Sequence, residues 1–229
     1  FSGICVTDGY QVYHTIENER EDLKIAGCWS HARRRFDEAV KVLPKAKQKD
    51  SRAYLALTMI QAIYREEKQL KELPAQERQN RRRLSVRPLV EAYFTWVREN
   101  LPKVPQKSKT WEGFRYSLHQ EKYLKVFLDD GEVPMDNNAA EQSVRGFCIG
   151  KKNWVMIDTV AGAKSSAIIY SIAETAKANK LKPYDYFEYL LTEVPKHLDD
   201  TDRGFLDDLL PWSPSLPANC RKPSKDEAE

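Results

Sequence analysis

Apolar positions follow two different rhythms along this chain. Near the start, Gly3-Ile4-Cys5-Val6-Thr7 is a short apolar run of the kind that forms a buried strand, and Ile25-Ala26-Gly27-Cys28-Trp29 is a second. Phe1 leads straight into the first run, so the sequence reads as a fragment that opens inside a strand. From Ser30 the spacing changes to three and four residues. Ser30 to about Val42 predicts a basic helix with Phe36, Ala39 and Val40 inward, stopped near Pro44. From Ser51 to Leu73, Ala56, Met59, Ile60, Ile63 and Leu70 recur on one face, which is an amphipathic helix closed by Pro74.

Pro88 suits an early helical position, and Leu89, Ala92, Tyr93, Trp96 and Val97 make the next stripe, ending before Pro102. Ser108 or Thr110 is placed to cap a segment carrying Phe114, Leu118, Leu124, Phe127 and Leu128, with a break near Gly131. Asn137 to Phe147 reads as helix, Cys148 to Thr159 as irregular or extended, and Ala163 to Asn179 as helix with Ala167, Ile168, Ile172 and Ala176 inward. A last helix starts near Pro183. Beyond Asp199, Pro211, Pro214, Pro217 and Pro223 interrupt an acidic stretch expected to be extended or disordered. The pattern is that of an α/β protein, mostly helical, with no internal repeat.

Charge changes this picture once the tail is set apart. The formal net charge is +3, but Asp199 to Glu229 holds eight acids and four bases; the remaining 33 Lys and Arg exceed 26 Asp and Glu by seven. Clusters at Arg33-Arg34-Arg35, Arg81-Arg82-Arg83 and Lys151-Lys152 favour a polyanion through counterion release, although any one triplet can equally be solvated surface. No apolar run approaches the roughly 18 residues of a membrane span and no signal-peptide pattern opens the chain, so a cytoplasmic protein is expected. Cys5, Cys28, Cys148 and Cys220 are scattered without a C-x-x-C pair and read as reduced thiols.

Two carboxylates stand out, each with a structural alternative. Asp8 follows the first apolar strand, where ligands gather at a sheet's carboxyl end, yet Asp8-Gly9 is also a hairpin-turn signal. Glu141 falls in the first turns of a helix, yet Asn138 and Glu141 have capping-box spacing and Glu141 with Arg145 is a stabilising i,i+4 pair. Cys28-x-x-His31, even with His14, lacks a fourth zinc ligand at motif spacing. His31 with Arg33, Arg34 and Arg35 suits phosphate contacts, as does Gly150-Lys151-Lys152-Asn153-Trp154, where two bases adjoin a stacking aromatic.

Taken in order, these motifs resemble a known family. Asp8-Gly9-Tyr10 with Tyr13, Cys28 through Phe36, Asp136-Asn137-Asn138 with Glu141 and Arg145, and Gly150 through Trp154 are similar to the insertion-sequence-66 family of bacterial transposases. So are Ser171 through Asn179 and Leu209-Leu210-Pro211-Trp212, and the resemblance therefore spans nearly the whole chain. It implies part of a ribonuclease-H-like core, with last strands and catalytic helix, a large helical insertion and C-terminal helices. In that scheme residues 1–29 are core strands, 30–133 the insertion, 134–198 the catalytic helix and C-terminal helices, and 199–229 an acidic Pro-rich tail. Asp8 is then the second and Glu141 the third acid of an Asp-Asp-Glu set, the first lying upstream of Phe1.

The resemblance further implies two magnesium or manganese ions (Mg2+ or Mn2+) in the complete site, with Asp8 and Glu141 as metal ligands. DNA contacts fall to His31, Arg33, Arg34, Arg35, Asn137, Asn138, Arg145, Lys151, Lys152, Asn153 and Trp154. Expected partners are transposon-end and target DNA, the upstream part of the transposase and further copies on DNA, with no membrane, in a bacterial, nucleoid-associated setting. The isolated fragment is expected to be inactive. A non-catalytic DNA-binding or oligomerisation remnant, and a ribonuclease-H-like nuclease, are the alternatives.

Overall fold

A computed structural model describes residues 1–154 and 157–223, apart from the side chains of 151–154. It is mostly helical, with a small two-stranded parallel sheet, and divides into two compact units, Phe1–Ala140 and Glu141–Glu229.

The first unit opens with β1 (Gly3–Thr7), α1 (Gln11–Glu19) and β2 (Leu23–Gly27). β1 and β2 are parallel, in a register that runs from Gly3 opposite Leu23 to Thr7 opposite Gly27. Parallel strands need a crossover, and α1 supplies it. The second strand begins and ends two residues earlier than the apolar run suggests, because Trp29 already belongs to α2 (Trp29–Lys41).

Helices α3 (Lys45–Gln48), α4 (Arg52–Gln69), α5 (Ala75–Arg81), α6 (Arg87–Asn100), α7 (Lys109–His119) and α8 (Glu121–Leu124) follow. α2 packs on α4 and α7, and α6 closes against both of these. Ser51 caps α4 by accepting from the Tyr54 N–H, and Ser108 caps α7 by accepting from the Trp111 N–H, each at 3.2 Å. Trp29 anchors the core: it is fully buried among Tyr93, Phe94 and Phe127, and its indole donates to the Leu124 carbonyl at 2.8 Å. α7 lies so close to α2 that a Cβ on Gly113 would meet the Phe36 ring at 2.7 Å.

α5 continues through a π-type turn, Arg82–Val86, into α6. Arg82 is buried there, against the expectation that this arginine triplet is either solvated or free for phosphate. Its guanidinium pairs with Glu67 and donates to the carbonyls of Phe127 (2.7 Å) and Asp130 (2.6 Å). Burying a charge is tolerable only when its hydrogen-bonding capacity is met in this way.

The second unit contains most of α9 (Asn138–Trp154), then α10 (Val160–Ala178), α11 (Pro183–Glu193) and the single turn α12 (Leu206–Leu209). α9 runs through Trp154, so the stretch from Cys148 is helical where irregular chain was expected. The α10 stripe is only half used: Ile168 is exposed, Ile172 half-buried and Ala176 buried. Up to Pro223 the tail is packed rather than loose. Leu216 and Cys220 join Ala176, Leu181 and Tyr186 in a small core, and Tyr186 Oη donates to the Leu209 carbonyl at 2.6 Å. Paired backbone bonds, Lys182 N–H to Cys220 O and Lys222 N–H to Lys180 O, pin the segment to the start of α11.

Candidate functional site

Because β1 and β2 are parallel, the residues that follow them emerge at the same end of the sheet. Asp8 leaves β1 there and is exposed; Cys28 leaves β2 and is buried. Asp8 does not begin a hairpin, since α1 and not an antiparallel strand comes next. Its Oδ1 accepts the Tyr10 N–H at 3.0 Å, which turns the chain into α1, and among the described residues no hydrogen bond reaches its Oδ2. Gly9 makes the turn with φ +81°, and a Cβ at that position would lie 3.0 Å from the Tyr116 hydroxyl and 3.1 Å from Gln120 Oε1. Both the left-handed conformation and the close approach therefore require glycine.

Tyr116, on α7, reaches this turn across the molecule. Its hydroxyl donates to the Asp8 carbonyl at 3.0 Å, and the Arg35 guanidinium lies 4.2 Å over its ring. Burial pushes the Tyr116 hydroxyl up to about 12; Arg35 opposes that shift, and the charges of Cys28 and Asp8 add to it. At neutral pH it is a proton donor that fixes the backbone of Asp8.

The second motif lies on the first turns of α2. Trp29 and Phe36 face the core, while Arg33, Arg34 and Arg35 are exposed. His31 is half-buried, and its backbone N–H donates to Cys28 O at 3.2 Å. Burial raises the Cys28 thiol, which keeps it protonated and structural. Among the described residues, no group of three His, Cys, Asp or Glu side chains converges as a metal site, so His14 does not complete a zinc set with Cys28 and His31. His14 instead stacks on Tyr123 at 3.9 Å.

The third motif comes alongside the second. Trp29 N–H donates to Met135 O at 3.2 Å, which lays residues 135–137 against the end of β2. Asp136 is committed on both oxygens: Oδ2 accepts from the Tyr64 hydroxyl at 3.0 Å and Oδ1 from the Asn138 N–H at 3.2 Å. Burial first, and Asp136 second, raise the Tyr64 hydroxyl well above the ordinary phenol range, so it stays a donor. Asn138 is already the first residue of α9, and Asp136 receives its N–H, so Asn138 is not the cap residue of a capping box. Asn137 Oδ1 is shielded from solvent without a hydrogen-bond partner. Glu141 and Arg145 are both exposed on α9 in the second unit. Lys151, Lys152, Asn153 and Trp154 end that helix, and their side chains lie outside the described residues.

Three sequence motifs separated by up to 130 residues thus meet at one sheet end of the first unit. Asp8 offers an uncommitted carboxylate oxygen, the hard donor that suits magnesium or manganese. The Arg35 guanidinium lies over the ring of Tyr116, whose hydroxyl donates to the Asp8 carbonyl. Tyr64 and Tyr116 were not singled out from sequence, and Asp136 was quoted only as part of its motif: the tyrosines lie in ordinary amphipathic helices, and only long-range pairing reveals their role.

Residues 1–165 match the Transposase IS66 family and residues 171–212 the IS66 C-terminal element, and the chain belongs to the IS66 transposase family. Three curated relatives come from Sinorhizobium fredii (strain NBRC 101917 / NGR234). The uncharacterized protein y4qI is 29% identical over 93% of this chain and 39% of its own length, and the uncharacterized protein y4jD 27% identical over 93% and 41%. The uncharacterized protein y4hP is 27% identical over 93% of this chain and 40% of its own length. The chain thus spans about two-fifths of the curated relatives it matches. No solved structure matches it significantly. Among the described residues, no helix is long and apolar enough to cross a membrane.

Proposed function

We propose that this chain is the part of a DNA transposase that supplies two acids of an Asp-Asp-Glu set, Asp8 and Glu141, within a ribonuclease-H-like core. The observation that carries the proposal is the seat of Asp8: a parallel-strand end, a glycine turn and a remote tyrosine hold its backbone while one carboxylate oxygen stays uncommitted. Bound magnesium or manganese supplies Lewis-acid activation of water or a DNA 3′-hydroxyl and offsets charge on the attacked phosphate. Asp8 and Glu141 would be its oxygen ligands.

The other residues act on position and charge. Tyr116 and Gly9 fix Asp8, while Tyr64 and Asp136 set where the helix carrying Glu141 begins. Arg33, Arg34 and Arg35 hold DNA through its phosphates, as do Lys151 and Lys152, while His31, Asn137, Asn138, Arg145, Asn153 and Trp154 contribute further DNA contacts. The first acid comes from chain upstream of Phe1, so activity belongs to the longer protein.

A cleavage and strand-joining assay on transposon-end DNA, with the product of the complete reading frame in Mg2+ or Mn2+, tests this reading. Asp8→Asn and Glu141→Gln should each abolish cutting and joining while DNA binding persists. Undiminished cutting by either variant overturns the assignment, and cutting without joining identifies a nuclease. The 229-residue chain alone should not cut, since two carboxylates leave too few ligands for paired metals.

A further inference from the structure

Within the first unit, a cleft of about 670 Å³ runs along α4 and ends at Asp136. Its α4 wall carries Arg65 and Lys68, with Lys71 just past the helix end; all three are exposed, and none is engaged in an ion pair with another described residue. Of the acids that line the cleft, Glu67 is committed to the buried Arg82, while Asp136, whose hydrogen bonds come from neutral donors, and Glu132 keep their negative charge. Arg78 adds a further positive charge, because its guanidinium donates only to neutral carbonyls, those of Leu70, Lys71, Leu73 and Gly131. Five cations against three carboxylates give this cleft a net positive charge.

We infer that the cleft is a track for the sugar-phosphate backbone of duplex DNA, gripped by Arg65, Lys68 and Lys71 as the duplex leaves the Asp8 end of the sheet. Three features support this. Arg65 and Lys68 lie about one helical turn apart on α4, and Lys71 follows beyond its end against the same cleft, so the three cations line one side of it. The side chains are long and free, which suits phosphate contacts that carry no base information. Tyr64 with Asp136 lines the cleft, and the neighbouring Met135 carbonyl accepts from Trp29 N–H at the end of β2, so DNA lying here leads toward the sheet end that carries Asp8. Neither the spacing of motifs nor the family match assigns these three residues a role. The inference rests on the reading of the protein as one that acts on DNA, but not on its catalytic residues.

Fluorescence anisotropy with the whole chain and a labelled duplex, titrated with salt in the presence of chelator, tests it. Replacing all three, Arg65→Ala, Lys68→Ala and Lys71→Ala, should lower affinity at low salt at least about tenfold and reduce the exponent of the salt dependence by roughly 2 to 3, equally for unrelated sequences. The charge-preserving set Arg65→Lys, Lys68→Arg and Lys71→Arg should bind as the parent does. Unchanged affinity and exponent in an alanine variant with parental circular dichroism and melting overturn the proposal. So does displacement of DNA by poly-glutamate as effective as by unlabelled duplex, which would make the cleft a site for acidic protein. Asp8→Asn should leave this binding intact, so an active Asp8→Asn transposase with an impaired cleft variant would sink the catalytic assignment alone.

Discussion

Arg33-Arg34-Arg35 and Arg81-Arg82-Arg83 are the same three letters with opposite fates. In α2 the buried positions are Trp29, Ala32, Phe36 and Ala39, so the whole triplet falls in the gap between Ala32 and Phe36 and faces outward. In the second triplet, Arg82 falls four residues before Val86 and eight before Val90, both buried, and is carried inward with them. There it staples α4 to the chain around Phe127–Asp130, with Phe127's ring 5.1 Å beneath its guanidinium. The phase of neighbouring apolar residues, not the density of positive charge, decides whether an arginine faces solvent or the core.

The largest effect should separate the two triplets by stability. Arg82→Ala leaves Glu67 and two carbonyls without their partner and should cost about 3–5 kcal/mol, lowering the melting temperature by at least ~6 °C. A melting curve within a degree or two of the parent would show that the buried staple is dispensable.

An intermediate effect comes from pH, and it touches the outward triplet through Arg35. The Tyr116 hydroxyl, pushed up to about 12 by burial, binds its proton more tightly folded than unfolded, where a phenol titrates near 10. The resulting stabilisation is full below pH 10 and is lost as pH climbs through about 12, a change on the order of 2–3 kcal/mol. Denaturant titrations at pH 9 and pH 11.5 should show that loss, and Tyr116→Phe should reduce it. Because Arg35 opposes the shift, Arg35→Ala should move the titration higher, whereas Lys substitution at Arg34 should not move it.

The smallest effect on the fold should accompany a clear effect on binding. Arg33→Ala with Arg34→Ala should alter stability by no more than ~0.5 kcal/mol yet cut the salt exponent for duplex DNA by about 2. An unfolded double variant, or one whose binding responds to salt as the parent does, would erase the distinction between the triplets.

Much of the scaffold was legible in the sequence, for identifiable reasons. β1 and the Ser108 cap follow from local rules that tertiary structure did not override, whereas the helix expected to run to Pro74 ends at Gln69 and Pro74 caps α5 instead. α1 was not legible, because Tyr10, Val12 and Tyr13 are exposed and give no inward stripe to read. The stretch from Cys148 was read as irregular or extended, yet α9 continues through Trp154. The prolines after Asp199 suggested loose chain, but Leu209, Leu216 and Cys220 dock on distant partners that composition does not register. The position of Asp8 at a strand end was readable; what holds it there, Tyr116, was not, because the two are joined only through the folded chain.

That hydrogen bond spans 108 residues, and the Trp29 indole bond to Leu124 spans 95. Contacts of such long sequence separation are slow to form, since the intervening chain must be ordered before they are rewarded. During synthesis the strand bearing Asp8 leaves the ribosome well ahead of the helix that steadies it, so the nascent protein carries its acidic residue without a seat. The candidate site matures only when the inserted helical layer has been made and folded back over the sheet, and an interrupted translation product ending before Tyr116 contains the acid but not the architecture that orients it.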